Sequence, residues 1–237
     1  MSETKGASPY PAAIAGGVIG SLLTAALFLF AMPQYFAGRI VRQGMLSDPN
    51  ILVETSTALQ DAQFAPVLNA NRAAIETPFG SSWRGSAKPD VTLVEFYDYA
   101  CPYCKASNPI IERLIKEDKG LRVVYRELPI LGPDSVVASR IALEASRAGR
   151  FNQFHDTLWE AGRPAPETIA SAAKAVGVSP TPRDDPGIEA ELKRNFQLAG
   201  QLGATGTPMF VVGDRVLNGA VGYDALKQAI ERVREKG

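Results

Sequence analysis

Three kinds of hydrophobic pattern follow one another along the 237 residues of the chain. The first is an uncharged run at residues 12–32, AAIAGGVIGSLLTAALFLFAM, which is close to the ~20 residues that a helix needs to cross a bilayer. Cleaved signal sequences have shorter apolar regions of ~7–15 residues and end in small side chains, whereas this run ends in Phe28, Phe30 and Met32. We therefore expect an uncleaved transmembrane anchor at residues 12–32, after a short tail at residues 1–11.

The second pattern is a narrow helical stripe between the anchor and the rest of the chain. Apolar or small side chains recur at helical spacing at Ile51, Thr55, Leu59 and Ala62. This spacing predicts a helical stalk over residues 33–78. The stripe needs a partner, and two remain open: the domain of its own chain, or a second copy in a homo-oligomer.

The third pattern alternates short apolar runs with helical stripes. Proline and glycine at residues 78–89 predict a linker. The runs VTLVEFYDY at residues 91–99 and LRVVYREL at residues 121–128 predict two buried strands. Apolar residues at helical spacing lie between them, so the segment predicts a strand–helix–strand unit with parallel strands.

The remaining elements complete an α/β domain at residues 79–237. Helical patterns separated by proline and glycine fill an insert at about residues 134–205. Two short strands are predicted at Pro208–Val212 and Arg215–Leu217, joined by the turn formers Gly213 and Asp214, and a terminal helix follows.

The charge balance of the chain excludes one class of function, nucleic-acid binding. Lys and Arg total 25, and Asp and Glu also total 25, so no field of one sign is available to bind nucleic acid.

The chemistry is expected at the two cysteines of the chain, Cys101 and Cys104. With Pro102 at the first helical position, Cys101 falls at the cap, where unpaired backbone N–H groups and the positive end of the helix favour a thiolate. We therefore expect Cys101 to attack and Cys104, one turn later, to resolve the mixed disulfide by closing the ring.

Metal binding is the alternative use of two closely spaced cysteines. Structural zinc requires four ligands, but the chain has only two cysteines and one histidine, His155, which is expected to be packed or solvated. No metal is assigned to the enzyme. A Cu(I) site made of the two thiolates stays open as an alternative.

The cysteine segment VEFYDYACPYCK from Val94 to Lys105, together with GTPMFVVG from Gly206 to Gly213, resembles the DsbA-like family of periplasmic thiol-disulfide oxidoreductases. These two segments, the helical block between them and the segment PNILVETSTALQ, which begins at Pro49, together most resemble the ScsC-type (suppressor of copper sensitivity) group of that family. The resemblance implies a thioredoxin fold with an inserted helical subdomain.

The resemblance also implies roles for individual residues. Thr207 and Pro208, with Pro208 in cis, would face the cysteine pair and dock an extended substrate beside Pro102 and Tyr103. Glu95 matches the family's buried acid, which would exchange a proton with the resolving thiol; a solvated position on the strand face is the alternative.

Asp98 is expected at the surface. Family members that oxidise often carry histidine between the cysteines, where this chain has Pro102 and Tyr103, so a less oxidising potential is expected.

Together these features predict a membrane-anchored oxidoreductase that forms, reduces or isomerises disulfides in exported proteins. It would need no cofactor. Its expected partners are unfolded or misfolded exported proteins with cysteines and an unidentified membrane redox partner, and its soluble domain would lie in the periplasm on the inner membrane. The alternative is a copper-handling protein that uses the same thiolates without turnover.

Overall fold

The computed structural model describes residue 25, residues 32–48 and residues 50–236. Apart from Ala25 and Met32, the predicted tail and anchor at residues 1–32 lie outside the described residues. Within the described part, no helix combines the length and the hydropathy that a membrane crossing requires. Contacts divide the chain into two units, residues 1–58 and residues 59–237.

Two helices occupy the segment that the sequence assigned to a stalk. Helix α1 comprises Met32–Ser47 and helix α2 comprises Asn50–Glu76. In the first unit, several large apolar side chains are exposed, among them Ile40, Leu46 and Val53. The second unit includes residues 59–76 of α2, whereas the sequence started the domain at residue 79. The difference arises because Leu68 and Ile75 of α2 are buried in the core of this unit.

A five-stranded mixed sheet is the centre of the second unit. Its strands are β1 (Trp83–Gly85), β2 (Val91–Tyr97), β3 (Leu121–Glu127), β4 (Met209–Val212) and β5 (Arg215–Asn218). The spatial order is β1-β3-β2-β4-β5, in which β2 and β3 are parallel and the other neighbours are antiparallel. The four strands expected from the sequence are present, but the expected linker contains the edge strand β1.

Helices cover the sheet and form the insert. Helix α3 (Pro102–Glu117) joins β2 to β3, as expected for parallel strands. The insert consists of α4 (Pro133–Arg147), α5 (Phe151–Ala161), α6 (Pro166–Ala175) and α7 (Pro186–Gln201), and α8 (Tyr223–Lys236) ends the described chain. The predicted helical insertion is therefore present.

The two faces of the sheet pack into two apolar cores. One core joins β2 and β3 to α3, α8 and the insert, and it contains both cysteines. The other core joins the opposite face to α2 and α7, through side chains such as Val94, Val124 and Leu198. Because both faces are covered, β2 and β3 are buried along nearly their whole length, as is typical of parallel strands.

Arg126 is a buried cation that fixes the end of α2 to this sheet. Its side chain is 2% exposed and forms an ion pair with Glu191 of α7. Its guanidinium also donates to the carbonyl groups of Ala74, Ile75 and Thr77. The last carbonyls of a helix lack partners within the helix, so Arg126 supplies the donors that α2 needs at its C-terminus.

Candidate active site

The two cysteines lie at the start of α3, directly after β2. Cys101 is the N-cap residue, with φ −82° and ψ 116°, and Pro102 begins the helix. Proline suits this position because it has no N–H to leave unpaired and its φ already matches the helix. Cys104 is fully buried one turn later, and both residues are free thiols. The capping position expected for Cys101 and the shielding expected for Cys104 are thus seen in the structure.

The loop before β4 lies against the first cysteine. The sulfur of Cys101 donates to the carbonyl oxygen of Thr207 at 3.2 Å, and the Thr207-Pro208 peptide bond is cis. Pro102 and Tyr103 follow Cys101 at the start of α3 and are exposed, with Tyr103 64% accessible. Of the four residues predicted to contact substrate, Thr207 contacts the sulfur of Cys101, and the other three are close neighbours of Thr207 or Cys101 in the chain.

Glu95 lies on β2 in the same core as the cysteines, and it is 1% exposed. Neither carboxyl oxygen has a hydrogen-bond partner among the described residues. Burial raises the pKa of Glu95 to about 8, with smaller contributions from Cys101 and Glu127. The alternative of a solvated strand-face residue does not fit this position.

The thiol of Cys104 is electrostatically coupled to that carboxyl group. Burial raises the pKa of Cys104, and the negative charge of Glu95 raises it further. The thiol of Cys104 is therefore easier to ionise when Glu95 is neutral.

Asp98 is buried, and the prediction that it lies at the surface is wrong. It follows β2 and has an exposed fraction of 0%. One carboxylate oxygen accepts from the backbone N–H of Ala100 at 2.7 Å, and the other accepts from Ile130 and Leu131, both at 2.8 Å. Two of these donors come from a loop about thirty residues later, which the local sequence pattern does not reveal.

A buried polar chain beside the cysteines was also missed from the sequence. His155, 2% exposed, accepts a hydrogen bond at Nε2 from the indole N–H of Trp159 at 3.0 Å, and its Nδ1 lies 3.3 Å from the hydroxyl of Tyr99. Because Nε2 is an acceptor, the neutral ring carries its proton on Nδ1. Burial lowers the pKa of His155 well below 6.5, and Arg84 lowers it further.

The chain continues from Tyr99 to a second buried carboxyl group. The hydroxyls of Tyr99 and Tyr97 lie 3.0 Å apart, and Tyr97 donates to Glu127, which also accepts from Ser139 at 2.7 Å. Burial raises the pKa of Glu127 to about 8, although both hydroxyl donors lower it. The tyrosines of VEFYDY were the available sequence signal, since tyrosine on a buried strand needs a polar partner.

No cluster of three or more His, Cys, Asp or Glu side chains in the described ranges is arranged to hold a metal ion. The site instead presents two thiols, a buried acid and a backbone carbonyl. That set can exchange disulfides with a substrate and move a proton.

The family model of the DSBA-like thioredoxin domain matches residues 92–231, and the chain belongs to this family. Members of the family are thiol-disulfide oxidoreductases, so the recognition from the cysteine and proline segments is confirmed. The fold is the expected thioredoxin-like α/β fold with a helical insertion.

Solved structures support the same assignment. A periplasmic thioredoxin-like protein of Salmonella enterica serovar Typhimurium is 32% identical with a TM-score of 0.64, and the match covers 70% of this chain and 96% of that one. The catalytic domain of ScsC from Proteus mirabilis is 29% identical with a TM-score of 0.66, covering 72% and 98%.

Curated relatives differ in how much of their length is matched. Disulfide bond formation protein D of Bacillus subtilis is 26% identical over 165 residues, which is 62% of this chain and 74% of that protein. Na⁺/H⁺ antiporter NhaA 1 of Salinispora arenicola is 28% identical over 154 residues. The chain spans only 24% of the length of that antiporter and 12% of a second one, from Salinispora tropica.

Proposed function

We propose that this chain is a membrane-anchored oxidoreductase that forms, reduces or isomerises disulfides in exported proteins through Cys101 and Cys104. The observation that carries the proposal is the pair of free thiols at the start of α3, with the carbonyl of Thr207 3.2 Å from the sulfur of Cys101. A thiolate is the nucleophile in disulfide exchange, and a second thiol one helical turn away can resolve the mixed disulfide that forms.

The reaction proceeds in two exchanges. The Cys101 thiolate attacks one sulfur of a substrate disulfide, so a mixed disulfide forms and the other substrate sulfur leaves as a thiolate. Cys104 then loses its proton to the Glu95 carboxylate and attacks the sulfur of Cys101. The Cys101–Cys104 disulfide forms, the bond to substrate breaks, and the second substrate sulfur leaves. The substrate is reduced by two electrons and the enzyme dithiol is oxidised, and disulfide formation is the reverse sequence.

The position of Glu95 suits this proton transfer. With a pKa of about 8, the carboxyl group has both forms available near neutral pH. It lies in the same apolar core as Cys104, where its charge raises the pKa of the Cys104 thiol.

The substrate would lie extended over the start of α3 at Cys101, which is itself 4% exposed. Tyr103 is accessible there, and the peptide groups around Thr207 and Pro208 lie against the sulfur. Backbone contact of this kind suits an unfolded chain, because it does not depend on the substrate's sequence. No cofactor takes part in these exchanges.

Membrane anchoring and location rest on the sequence and on the relatives. The uncharged run at residues 12–32 has the length of a spanning helix, and the similar Salmonella protein is periplasmic. We place the soluble domain in the periplasm on the inner membrane, where a membrane redox partner would restore its oxidation state. The exposed apolar side chains of α1 suit assembly into a homo-oligomer.

The decisive experiment is a trap made by Cys104→Ala in the full-length chain. This variant should form stable mixed disulfides with client proteins whose disulfides were scrambled by reduction and reoxidation. The mixed disulfides should appear on non-reducing gels as adducts that a reductant removes. Cys101→Ala, the matched control, should form none. Equal adduct formation by both variants would refute the assignment of the attacking sulfur, and no adducts with either would refute the proposed function.

A second assay separates the copper alternative. The wild-type protein should catalyse insulin reduction or reactivate scrambled ribonuclease. Tight anaerobic Cu(I) binding without any turnover in these assays would instead favour copper handling by the two thiolates.

A further inference from the structure

The buried carboxylate of Asp98 links two segments that are far apart in sequence. One oxygen accepts from Ala100, the residue before Cys101, and the other accepts from Ile130 and Leu131, the loop between β3 and the helical insert. Because a carboxylate is only a few ångströms wide, this loop is held directly beside the active-site turn. All three partners are donors, which match the ionised carboxylate, an acceptor at both oxygens.

The backbone of the same residue also contacts Cys101. The carbonyl of Asp98 accepts from the N–H of Cys101 at 3.0 Å. A shift of Asp98 would therefore act directly on the backbone of Cys101, at the start of the helix that carries both sulfurs.

The loop held by Asp98 is apolar and accessible. Ile130 and Leu131 are each 44% exposed, and helix α4 of the insert begins at Pro133, two residues later. The contact therefore fixes the loop that leads into the insert.

From these contacts we infer that Asp98 is a positioning residue for thiol-disulfide exchange, which holds Cys101 and Cys104 in the alignment that the second exchange requires. The inference rests on the proposed function of the cysteine pair. The first exchange takes place at the sulfur of Cys101 and does not involve Cys104, whereas the second needs the sulfur of Cys104 in line with the bond being broken. Loss of the Asp98 carboxylate should therefore slow the second exchange more than the first.

The test uses Asp98→Asn in the full-length protein. The amide keeps the size of the side chain but places an NH₂ group where an oxygen now accepts backbone N–H groups. The rate of mixed-disulfide formation with oxidised glutathione should change little, and the rate at which Cys104 then releases glutathione should fall about tenfold or more, since ~1 Å of misplacement can cost ~10²-fold. In Asp98→Ala the rate of glutathione release should fall further, because this variant loses both side-chain acceptor oxygens.

The matched control is Asp185→Asn. Asp185 also accepts two backbone N–H groups, at the start of α7. Loss of its carboxylate therefore shows the effect of a general decrease in protein stability, without a change at the active-site turn. The ratio of the two exchange rates should stay at the wild-type value in this control. An unchanged ratio in Asp98→Asn, measured while the wild type is active, would overturn the inference and leave the proposed function standing. A wild type that forms no mixed disulfide would instead refute the proposed function itself.

Hydrogen exchange of the wild type gives a second measurement that does not depend on a variant that folds. The amides of Ile130 and Leu131 should exchange as slowly as the amide of Cys101, because all three are held through Asp98. Rapid exchange at residues 130 and 131, at the rate of an open loop, would also overturn the inference.

Discussion

The buried acid Glu95 should make the protein less stable as pH rises, and its amide variant should remove that effect. In the unfolded chain the group ionises with a pKa near its ordinary value of 4.5, but in the folded chain its pKa is about 8. Between these values the folded state holds more protons than the unfolded state, so the free energy of unfolding falls with increasing pH.

The magnitude follows from the two pKa values. Each pH unit in this window costs about 1.4 kcal/mol for one proton. The cost is therefore about 3 kcal/mol at pH 7 and reaches about 5 kcal/mol once both states are ionised, well above pH 8. Relative to wild type, Glu95→Gln should gain about 2.5 kcal/mol of stability between pH 5.5 and pH 7.5.

The assay is urea unfolding of the reduced protein at several pH values across that range, for wild type and Glu95→Gln. Glu231→Gln, the same change on an exposed position of α8, is the control and should leave the pH profile parallel to that of the wild type. Parallel profiles for Glu95→Gln would show that the carboxyl group ionises in the folded state as it does in the unfolded chain. The proton transfer proposed for Glu95 would then lose its physical basis.

Three further predictions concern stability and protonation. Glu191→Ala should lower the free energy of unfolding by about 3–5 kcal/mol, because it leaves Arg126 buried without its ion-pair partner. The ring resonances of His155 should not titrate between pH 5.5 and 8 in NMR spectra, because burial keeps the ring neutral; stability should fall as pH drops below about 6.5, where the unfolded histidine takes up its proton. Gly203→Ala should be destabilising in thermal melts, because a Cβ at φ +68° would lie 2.8 Å from a ring carbon of Phe64.

Each of these three predictions has a control variant or a result that would contradict it. Glu189→Ala breaks an exposed ion pair with Arg140 and should cost no more than about 1 kcal/mol; an equal loss for Glu191→Ala would contradict the buried-charge argument. The chain has a single histidine, so any titrating histidine signal in the untagged protein disproves a neutral ring. Gly200→Ala lies in α7 with open space around it and should stabilise slightly, in contrast to residue 203.

The sequence predicted the elements whose signals are local. The apolar run of VTLVEFYDY predicted β2, and the cysteine pair with Pro102 predicted the start of α3, because strand periodicity and helix capping are read within a few residues. Strand β1 was missed because its three residues, Trp83–Gly85, are too short for a periodic pattern and include a glycine that predicts a turn.

The parts that could not be predicted depend on partners distant in sequence. Asp98 looked like a surface residue because its donors at residues 130 and 131 lie in another loop. Arg126 likewise alternates with apolar neighbours as an exposed residue would, and only the packing of α2 and α7 on that face buries it. A polar residue on a strand reveals its environment only when the second layer of the fold is known.

The guanidinium of Arg126 limits where this protein can be divided. A truncated form that begins at residue 79 would lack the carbonyl groups of Ala74, Ile75 and Thr77 that now receive its N–H groups. It would also uncover the sheet face that Leu68 and Ile75 occupy. Grafting the redox module onto another protein should therefore retain the chain from residue 59 onward, since the last turns of the preceding helix are part of what keeps the module folded.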